Sequence, residues 1–199
     1  MVSLYGGHFL YDGGDTKSYK QTPMKINKDS LFDVISNQSE YSIFFSLIQI
    51  AKLEKNYNSL SNKYTVFIPT DQQINSKYSQ EELSNINYDK AKQIVLYHTL
   101  NKTYDPNYIR QVKYSTFSTT STHPMNKKIT IQNNENGRIK LLVNNKVHIS
   151  NFHRGNISNG FIYLIDDFIC PESLKNNFLK SKQVQNSCRQ VNIKTNCFF

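Results

Sequence analysis

Histidine is the side chain best suited to act as a general base near neutral pH, and the sequence contains five. They are His8, His98, His123, His148 and His153. A hydrolase pairs such a base with a nucleophile and with a third group that orients the base. The sequence has no Gly-x-Ser-x-Gly motif and no Cys-His signature to accompany these histidines. The pattern therefore favours a protein that is not an enzyme.

Metal, phosphate and cofactor chemistry also lacks a matching pattern. His148 and His153 are five residues apart in a region of predicted strand and turn, and no acidic ligand recurs beside them. The carboxylate pairs Glu81–Glu82 and Asp166–Asp167 are adjacent in sequence, where side chains tend to point apart. The glycine pairs lack the context of a phosphate-binding loop. We predict no catalytic residue, no metal site and no cofactor.

Three cysteines are too few for a disulfide framework and include no Cys-x-x-Cys pair. Cys170 lies in an apolar run and is predicted to be a core residue. Cys188 and Cys197 share a polar tail, where they can close a short loop in an oxidising compartment.

The charge of the chain permits acidic partners. Its 199 residues include 24 Lys and Arg against 15 Asp and Glu, which gives a net charge of +9. Lysine dominates, whereas base and phosphate recognition favours arginine, so the composition argues against nucleic acid. Two interpretations stay open: a solvated basic surface that aids solubility, and a patch that binds a polyanion.

Helices are predicted in the first half of the chain. Ser30-x-x-Asp33 has the spacing of a helix start. Apolar residues recur at three- and four-residue spacing over about 40–53 and about 89–100, which predicts two amphipathic helices.

A strand and a further helix start lie between those two helices. The β-branched and aromatic run Tyr64–Ile68 predicts a strand that stops at Pro69. Thr70-x-x-Gln73 then fits a capping box.

Strands are predicted from Val112 onward, and turn residues separate them. The strands are expected around Ile129–Ile131, Ile139–Val143, Val147–Ile149 and Phe161–Ile165. Asn159 and Gly160 are predicted to form a tight turn because both residue types tolerate positive φ. Early helices and late strands pack as segregated layers, so the predicted fold class is α+β.

Three segments, in this order, resemble the fasciclin-type adhesion domain. They read YTVFIPTDQQI at 64–74, IVLYHTL at 94–100 and VNNKVHISNFHRGNISNGFIYLIDDFICP at 143–171. The N-terminal segment is similar to the lead-in of single-domain secreted bacterial members, so the resemblance covers about 1–174. It implies N-terminal helices packed on a twisted β-sheet wedge, and a module for adhesion or protein contact with no common catalytic activity.

The resemblance also implies roles for particular residues. Tyr97 and His98, with Ile94, Val95 and Leu100 around them, match the segment that the family associates with receptor contact. They are the predicted partner-binding residues. The residues that match the fold signature are Thr65, Pro69, Thr70, Asp71, Asn159, Gly160, Asp166 and Pro171.

Two residues depart from the family pattern, and others have a structural interpretation. Tyr163 stands where the second signature box usually has a histidine, and Cys170 replaces an aliphatic residue, so both are expected to change packing. A histidine such as His98 in an apolar helix is commonly buried and hydrogen-bonded, because an unpaired buried polar group costs about 1–3 kcal/mol. Asp71 is expected to assist a helix cap, and Asp166 to tie down a turn.

These observations divide the chain into three parts: a lead-in segment at 1–28 packed on the domain, a fasciclin-like domain at 29–174, and a basic tail at 175–199 that is expected to be partly disordered. The predicted function is a non-enzymatic adhesion or protein-interaction module whose partner is a cell-surface or matrix protein or glycan. The alternatives are a basic protein that binds a polyanion, either glycan or nucleic acid, and a lipid or small-molecule carrier.

Export is expected from the resemblance, which implies an extracellular or surface-displayed protein. The N-terminus lacks the pattern of a secretory signal, so either the chain is not exported by that route or a leader lies outside this sequence. No run reaches the ~18–20 apolar residues of a membrane-spanning helix. Asn37, Asn101 and Asn156 begin Asn-x-Ser/Thr sequons and are candidate N-glycosylation sites.

Overall fold

Seven α-helices and seven strands form the part of the chain that the computed structural model describes, which is residues 24–134, 140–144, 146–174 and 179. The helices are α1 (Leu31–Asn37), α2 (Ser42–Ile50), α3 (Glu54–Asn58), α4 (Asp71–Lys77), α5 (Gln80–Ser84), α6 (Tyr88–Tyr97) and α7 (Pro106–Gln111). The strands are β1 (Tyr64–Pro69), β2 (Thr99–Leu100), β3 (Tyr114–Ser118), β4 (Lys128–Asn134), β5 (Lys140–Val143), β6 (Val147–Phe152) and β7 (Gly160–Ile165).

Two predicted helix starts are confirmed. The Ser30 hydroxyl accepts a hydrogen bond from the Asp33 backbone N–H at 3.1 Å, which caps α1. At α4, Thr70 and Gln73 form the full capping box, because each side chain bonds the other residue's backbone. These caps satisfy backbone N–H groups that have no partner within the helix.

The predicted helix over 40–53 is wrong at its C-terminal end, because α2 stops at Ile50. Lys52 adopts φ 54, and the Leu53 N–H reaches back to the Ile48 carbonyl at 3.0 Å. The Lys52 N–H bonds the Gln49 carbonyl, also at 3.0 Å. This pair of bonds is a Schellman ending, which usually places glycine where Lys52 stands.

The predicted helix over 89–100 is also too long, because α6 ends at Tyr97. The Thr99 hydroxyl bonds the Val95 carbonyl at 2.9 Å, and the His98 ring bonds the Ile94 carbonyl. These side chains occupy carbonyls of the last helical turn, and the chain then leaves the helix as β2. Leu100 pairs with Thr65 of β1 in an antiparallel ladder.

The strands form one mixed sheet in the order β2-β1-β7-β6-β5-β4-β3. The β1–β7 pair is parallel, and the other neighbours are antiparallel. The outer strands meet through a bridge between Leu100 and Thr119, and the Thr120 N–H bonds the Thr99 carbonyl at 2.8 Å. The sheet therefore curls until its two edges touch. Helices combined with this sheet confirm the α+β class.

Two groups of buried apolar side chains lie on opposite faces of β1 and β7. We call the first the helical core; it combines α1–α6 with Val66, Ile68 and Ile162 of the central strands. We call the second the strand core; it combines α7 and β2–β6 with alternate central residues such as Phe67 and Tyr163. The two central strands are thus covered on both faces.

Several predictions fall wholly or partly outside the described residues. The hairpin between β4 and β5 is confirmed by its pairing, but its turn at 135–139 lies outside them. The lead-in segment up to residue 23 also lies outside, as does the tail beyond residue 174 apart from residue 179. The division at 1–28, 29–174 and 175–199 stays a prediction.

Candidate functional site

The predicted partner-binding residues lie in the interior of the protein. Their side chains are buried, so in the folded chain they have almost no surface to offer a partner. They are Ile94, Val95, Tyr97, His98 and Leu100. Ile94 and Val95 belong to the helical core, and Tyr97 and Leu100 belong to the strand core.

His98 joins α6 to the segment that follows β7. Its Nε2 accepts a hydrogen bond from the Ile169 backbone N–H at 2.8 Å, so the proton must be on Nδ1, which donates to the Ile94 carbonyl at 2.7 Å. The ring lies between Phe44 and Phe168, with centroid distances of 5.8 and 5.7 Å. Burial lowers the pKa of His98 to about 4, so the ring is neutral at physiological pH.

Tyr97 joins α6 to the strand core. Its hydroxyl lies 3.4 Å from the Lys128 carbonyl, and it accepts a hydrogen bond from the Asn144 side-chain amide at 3.0 Å. Asn144 has φ 50, as expected for a predicted turn residue, and its side-chain oxygen accepts the Thr130 N–H at 2.9 Å. Tyr97 and His98 thus hold different parts of the fold to the same helix end.

The first signature segment caps one helix with a residue from another. Asp71 begins α4, but its carboxylate accepts hydrogen bonds from the Ser42 N–H at 3.1 Å, the Ser42 hydroxyl and the Ile43 N–H at 3.0 Å. A carboxylate at a helix N-terminus is favoured by both hydrogen bonding and the helix dipole. The expected cap is therefore present, but it caps α2. Pro69 ends β1 as predicted.

Thr65 holds the segment that leads from β2 to α7. Its hydroxyl donates to the Lys102 carbonyl at 2.9 Å and accepts the Tyr104 N–H at 2.8 Å. Thr65 is buried, so both hydrogen-bonding roles of its hydroxyl are satisfied inside the protein.

A turn at residues 158–159 leads into β7 at Gly160, as predicted, but the expected positive φ is wrong. Neither residue has positive φ. The buried Asn159 side chain accepts the Leu31 N–H at 2.7 Å and donates to the carbonyls of Tyr57 and Ser59, each at 3.0 Å. A Cβ on Gly160 would lie 2.2 Å from the Tyr64 carbonyl oxygen, so glycine is required by close strand approach.

The end of the second signature segment also serves the fold. One Asp166 oxygen accepts the His148 N–H at 2.9 Å, and the Asp166 N–H bonds the His148 carbonyl at 3.1 Å. Asp166 therefore extends the β6–β7 pairing, in line with its expected structural role.

Tyr163, at the position of the expected histidine, is buried and donates to the Tyr104 carbonyl at 2.9 Å. Burial raises the pKa of Tyr163. Pro171 is buried at the end of this segment.

The candidate modification sites differ in their surroundings. Asn37, Asn101 and Asn156 are all exposed. The Asn37 side-chain amide donates to the Asp33 carbonyl and carboxylate, each at 2.9 Å, whereas no hydrogen bond of the Asn101 side chain occurs among the described residues.

The predicted cysteine pair, Cys188 and Cys197, lies outside the described residues. The prediction that Cys170 is a core residue is wrong, because Cys170 is half-buried and belongs to neither core; its thiol lies 3.6 Å from the Pro171 carbonyl.

The sequence did not predict the cleft beside α7. The guanidinium carbon of Arg110 lies 4.9 Å from the ring centre of Phe152, and Tyr104 stacks on Tyr108 with a 5.5 Å centroid distance. The cleft has a volume of about 180 Å³ and is bounded by Pro106, Arg110, residues 149–152 and Tyr163. The Asp105-Pro106 pair was the available signal, because Asp caps α7 and proline opens it.

We call the part of the molecule around the strand core the strand-rich half, and the part around the helical core the helical half. The strand-rich half also exposes large side chains. Tyr108 is 47% exposed, Tyr114 63% and Met125 61%. Each lies between α7 and the start of β4, a region that the helical core does not include.

Comparisons with known proteins agree on the fold. The family model described as the Fasciclin domain matches residues 39–171. Among solved structures, the chain is similar to a FAS1 domain pair from the insect cell adhesion molecule fasciclin I, with a TM-score of 0.57 and 16% sequence identity. The match covers 73% of this chain and 52% of that one, so the chain spans about half the length of that structure. No curated protein matches the sequence.

Among the helices of the described residues, none has the length and apolar character needed to cross a membrane.

Proposed function

Because the chain belongs to the fasciclin domain family, we propose that it is a non-enzymatic module for adhesion or protein interaction, displayed outside a cell or on a particle surface. The observation that carries the proposal is the family match over residues 39–171, which includes all seven strands and six of the seven described helices. The likeness to the fasciclin I domain pair supports the fold alone, since the sequences are 16% identical.

The chemical groups of the signature segments are engaged in holding the fold together, which supports the non-enzymatic part of the proposal. His98 uses both ring nitrogens in hydrogen bonds to the backbone. The carboxylates of Asp71 and Asp166 accept backbone N–H groups. A catalytic base must reach a substrate proton, and these groups are instead committed to holding elements together.

The partner surface in this proposal lies on the strand-rich half. Since residues 94–100 are mostly buried, they act by positioning: Tyr97 holds the turn at Asn144, and Leu100 bridges Thr119 at the end of β3. Tyrosine and methionine are enriched at protein interfaces. The exposed Tyr108 and Tyr114 are therefore the proposed contact residues.

Binding to intact cells tests this proposal. We expect the double variant Tyr108→Ser/Tyr114→Ser to bind cells at least about tenfold more weakly, since buried aromatic anchors dominate interface energies. The matched control is Tyr88→Ser/Leu60→Ser, which removes exposed apolar side chains, 40% and 43% exposed, from the helical half. The control should bind within twofold of the parent chain, and circular dichroism should show both variants folded.

Two results would overturn the proposal. One is the absence of binding to any cell-surface or matrix component. The other is equal binding by both double variants, because Tyr108 and Tyr114 would then contribute nothing to the contact surface.

Exposure of the sequon asparagines is consistent with surface display. We propose that Asn101 is preferred over Asn37 as an N-glycosylation acceptor, because the Asn101 side-chain amide makes no described hydrogen bond whereas that of Asn37 makes two. Mass spectrometry of protein from a glycosylating host should find more occupancy at Asn101 than at Asn37, and the reverse order would refute this assignment.

A further inference from the structure

Positive charge is concentrated in the strand-rich half of the protein. The described residues from 24 to 105 contain nine basic and nine acidic side chains. The described residues from 106 to 174 contain seven basic side chains and three acidic ones, Asp166, Asp167 and Glu172. The described residues of the strand-rich half therefore carry an excess of positive charge, whose long-range field favours anionic ligands, whereas those of the helical half are neutral in sum.

The cleft beside α7 lies in this half and presents hydrogen-bond donors. Arg110 is exposed and makes no hydrogen bond or ion pair with the described residues; its guanidinium lies over the Phe152 ring and interacts electrostatically with Tyr163. The Asn151 oxygen accepts the Phe152 N–H at 2.9 Å, while its side-chain NH₂ has no described partner. Asp105 is the nearby acid, but its carboxylate accepts the N–H groups of Asn107 and Tyr108 at the start of α7.

The rest of the cleft supplies one acceptor and an apolar wall. The Ser150 hydroxyl donates to the Leu164 carbonyl at 3.1 Å, so its lone pairs remain for a ligand hydroxyl. Ser150 lies at the irregularity in the β6–β7 register, where the chain bulges between Ile149 and Asn151. Pro106 and Ile149 give apolar surface. At about 180 Å³ the cleft is smaller than ordinary ligand pockets, which suits a single residue-sized group.

We propose that this cleft binds the carboxylate-bearing sugar unit of an acidic polysaccharide. The carboxylate meets the guanidinium fork of Arg110 and the Asn151 NH₂, because a planar fork matches a carboxylate in a bidentate manner. A ring hydroxyl donates to Ser150, and the carbon face of the sugar lies against Pro106 and Ile149. The inference deepens the adhesion proposal by naming the partner class, and as an adhesion site it rests on that proposal.

Features of the cleft favour a sugar acid over other anions. Single-stranded nucleic acid needs open aromatic faces for base stacking, and Arg110 covers the face of Phe152. The cleft pairs its cation with one acceptor and with apolar walls, a combination that matches a carboxylate, a hydroxyl and a C–H face on one ring. The other basic residues of the strand-rich half can attract the further negative charges that a polymer carries along its length.

Calorimetric titration of the full chain with an α-1,4-linked galacturonate hexamer tests the inference. We expect Arg110→Gln to weaken binding at least tenfold at 0.1 M salt, and Arg110→Lys, which keeps the charge but loses the fork, to weaken it at least threefold. The matched control is Lys55→Gln, which removes one exposed positive charge from the neutral half and should bind within twofold of the parent chain. Arg110 is exposed, so its variants should unfold at nearly the parent temperature.

Three outcomes would overturn the inference: Arg110→Gln binds like the parent, a neutral galactose hexamer binds equally well, or a hexaglutamate peptide binds as tightly as the uronate with the same dependence on Arg110. The titration contains no cells. Uronate binding without cell binding therefore supports the cleft and removes the adhesion role, whereas cell binding without uronate binding removes the cleft alone.

Discussion

The surroundings of His98 keep its imidazole ring neutral. An amide N–H fixes its Nε2 as an acceptor, a carbonyl fixes its Nδ1 as a donor, and two phenylalanine rings cover it. A second proton would have to replace the bond from Ile169, inside an apolar site. The Asp167 carboxylate favours the charged form, but burial outweighs it.

Stability should therefore fall as the pH falls from about 6.5 to about 4. In that window the unfolded chain binds a proton on His98, with a pKa near 6.5, while the folded chain does not until its pKa of about 4 is reached. The loss is of the order of 3 kcal/mol in the free energy of unfolding. Urea unfolding of the parent and of His98→Gln at pH 7.0 and pH 4.5 measures it.

The His98→Gln variant should be less stable at pH 7 but should lose less stability on acidification. Equal losses in both proteins would contradict a neutral buried His98. The comparison is between slopes, so the carboxylates common to both proteins do not obscure it.

At the scale of elements, the parallel pairing of β1 with β7 sets the tightest constraint. Gly160 pairs with Tyr64, and a Cβ at Gly160 would meet the Tyr64 carbonyl oxygen at 2.2 Å and the Leu31 Cδ1 at 2.9 Å. A backbone oxygen cannot move aside without displacing the strand. Gly155 differs, because a Cβ there would meet the His153 ring, whose Nε2 lies at 2.4 Å.

Gly160→Ala should destabilise the protein by roughly 3 kcal/mol, since overpacking against backbone forces strand movement. Gly155→Ala should cost less than about 1 kcal/mol, because the His153 side chain can change rotamer. Thermal unfolding of both variants measures the difference. Similar melting temperatures would show that the β1–β7 approach is looser than the structure indicates.

Element types were predictable from the sequence more often than element ends. Local signals at Ser30 and at Thr70–Gln73 predicted helix starts because caps are short-range interactions. The end of α2 depends on Lys52 adopting positive φ, and the end of α6 on the His98 and Thr99 side chains bonding carbonyls of the last turn, and neither can be read from spacing. The α7 cleft combines residues about 40 positions apart, so only the folded chain brings it together.

Asn159 illustrates the same limit. An Asn-Gly pair is a strong local turn signal. In this protein the turn is present, but the pair also serves long-range packing: the Asn159 side chain bonds Leu31, Tyr57 and Ser59, and Gly160 admits a neighbouring strand. The turn could be predicted from the sequence, whereas the long-range contacts of Asn159 and Gly160 could not, because their partners lie about 100 positions or more away.

At the scale of the whole molecule, the central strands belong to both cores. In β1, Val66 and Ile68 face the helical core while Phe67 faces the strand core. In β7, Ile162 and Tyr163 divide in the same way. Damage to one core therefore weakens strands that the other core needs, and the two should unfold together.

Ile129→Ala tests this coupling, because Ile129 is a buried member of the strand core alone. We expect it to cost about 2–5 kcal/mol. Hydrogen exchange should accelerate by the same factor at the slowest amides of α2 in the helical core and of β4 in the strand core. Acceleration confined to β4 would show that the cores open separately.

The pairing of Tyr64 with Gly160 joins residues 96 positions apart. A ribosome adding about 5–20 residues per second needs roughly 5–20 s to make the chain between them. For that time β1, apolar on both faces, waits in the nascent chain without the neighbour that covers it, while the helices before it are already complete. The order of synthesis thus leaves β1 without its parallel partner until the last strand emerges.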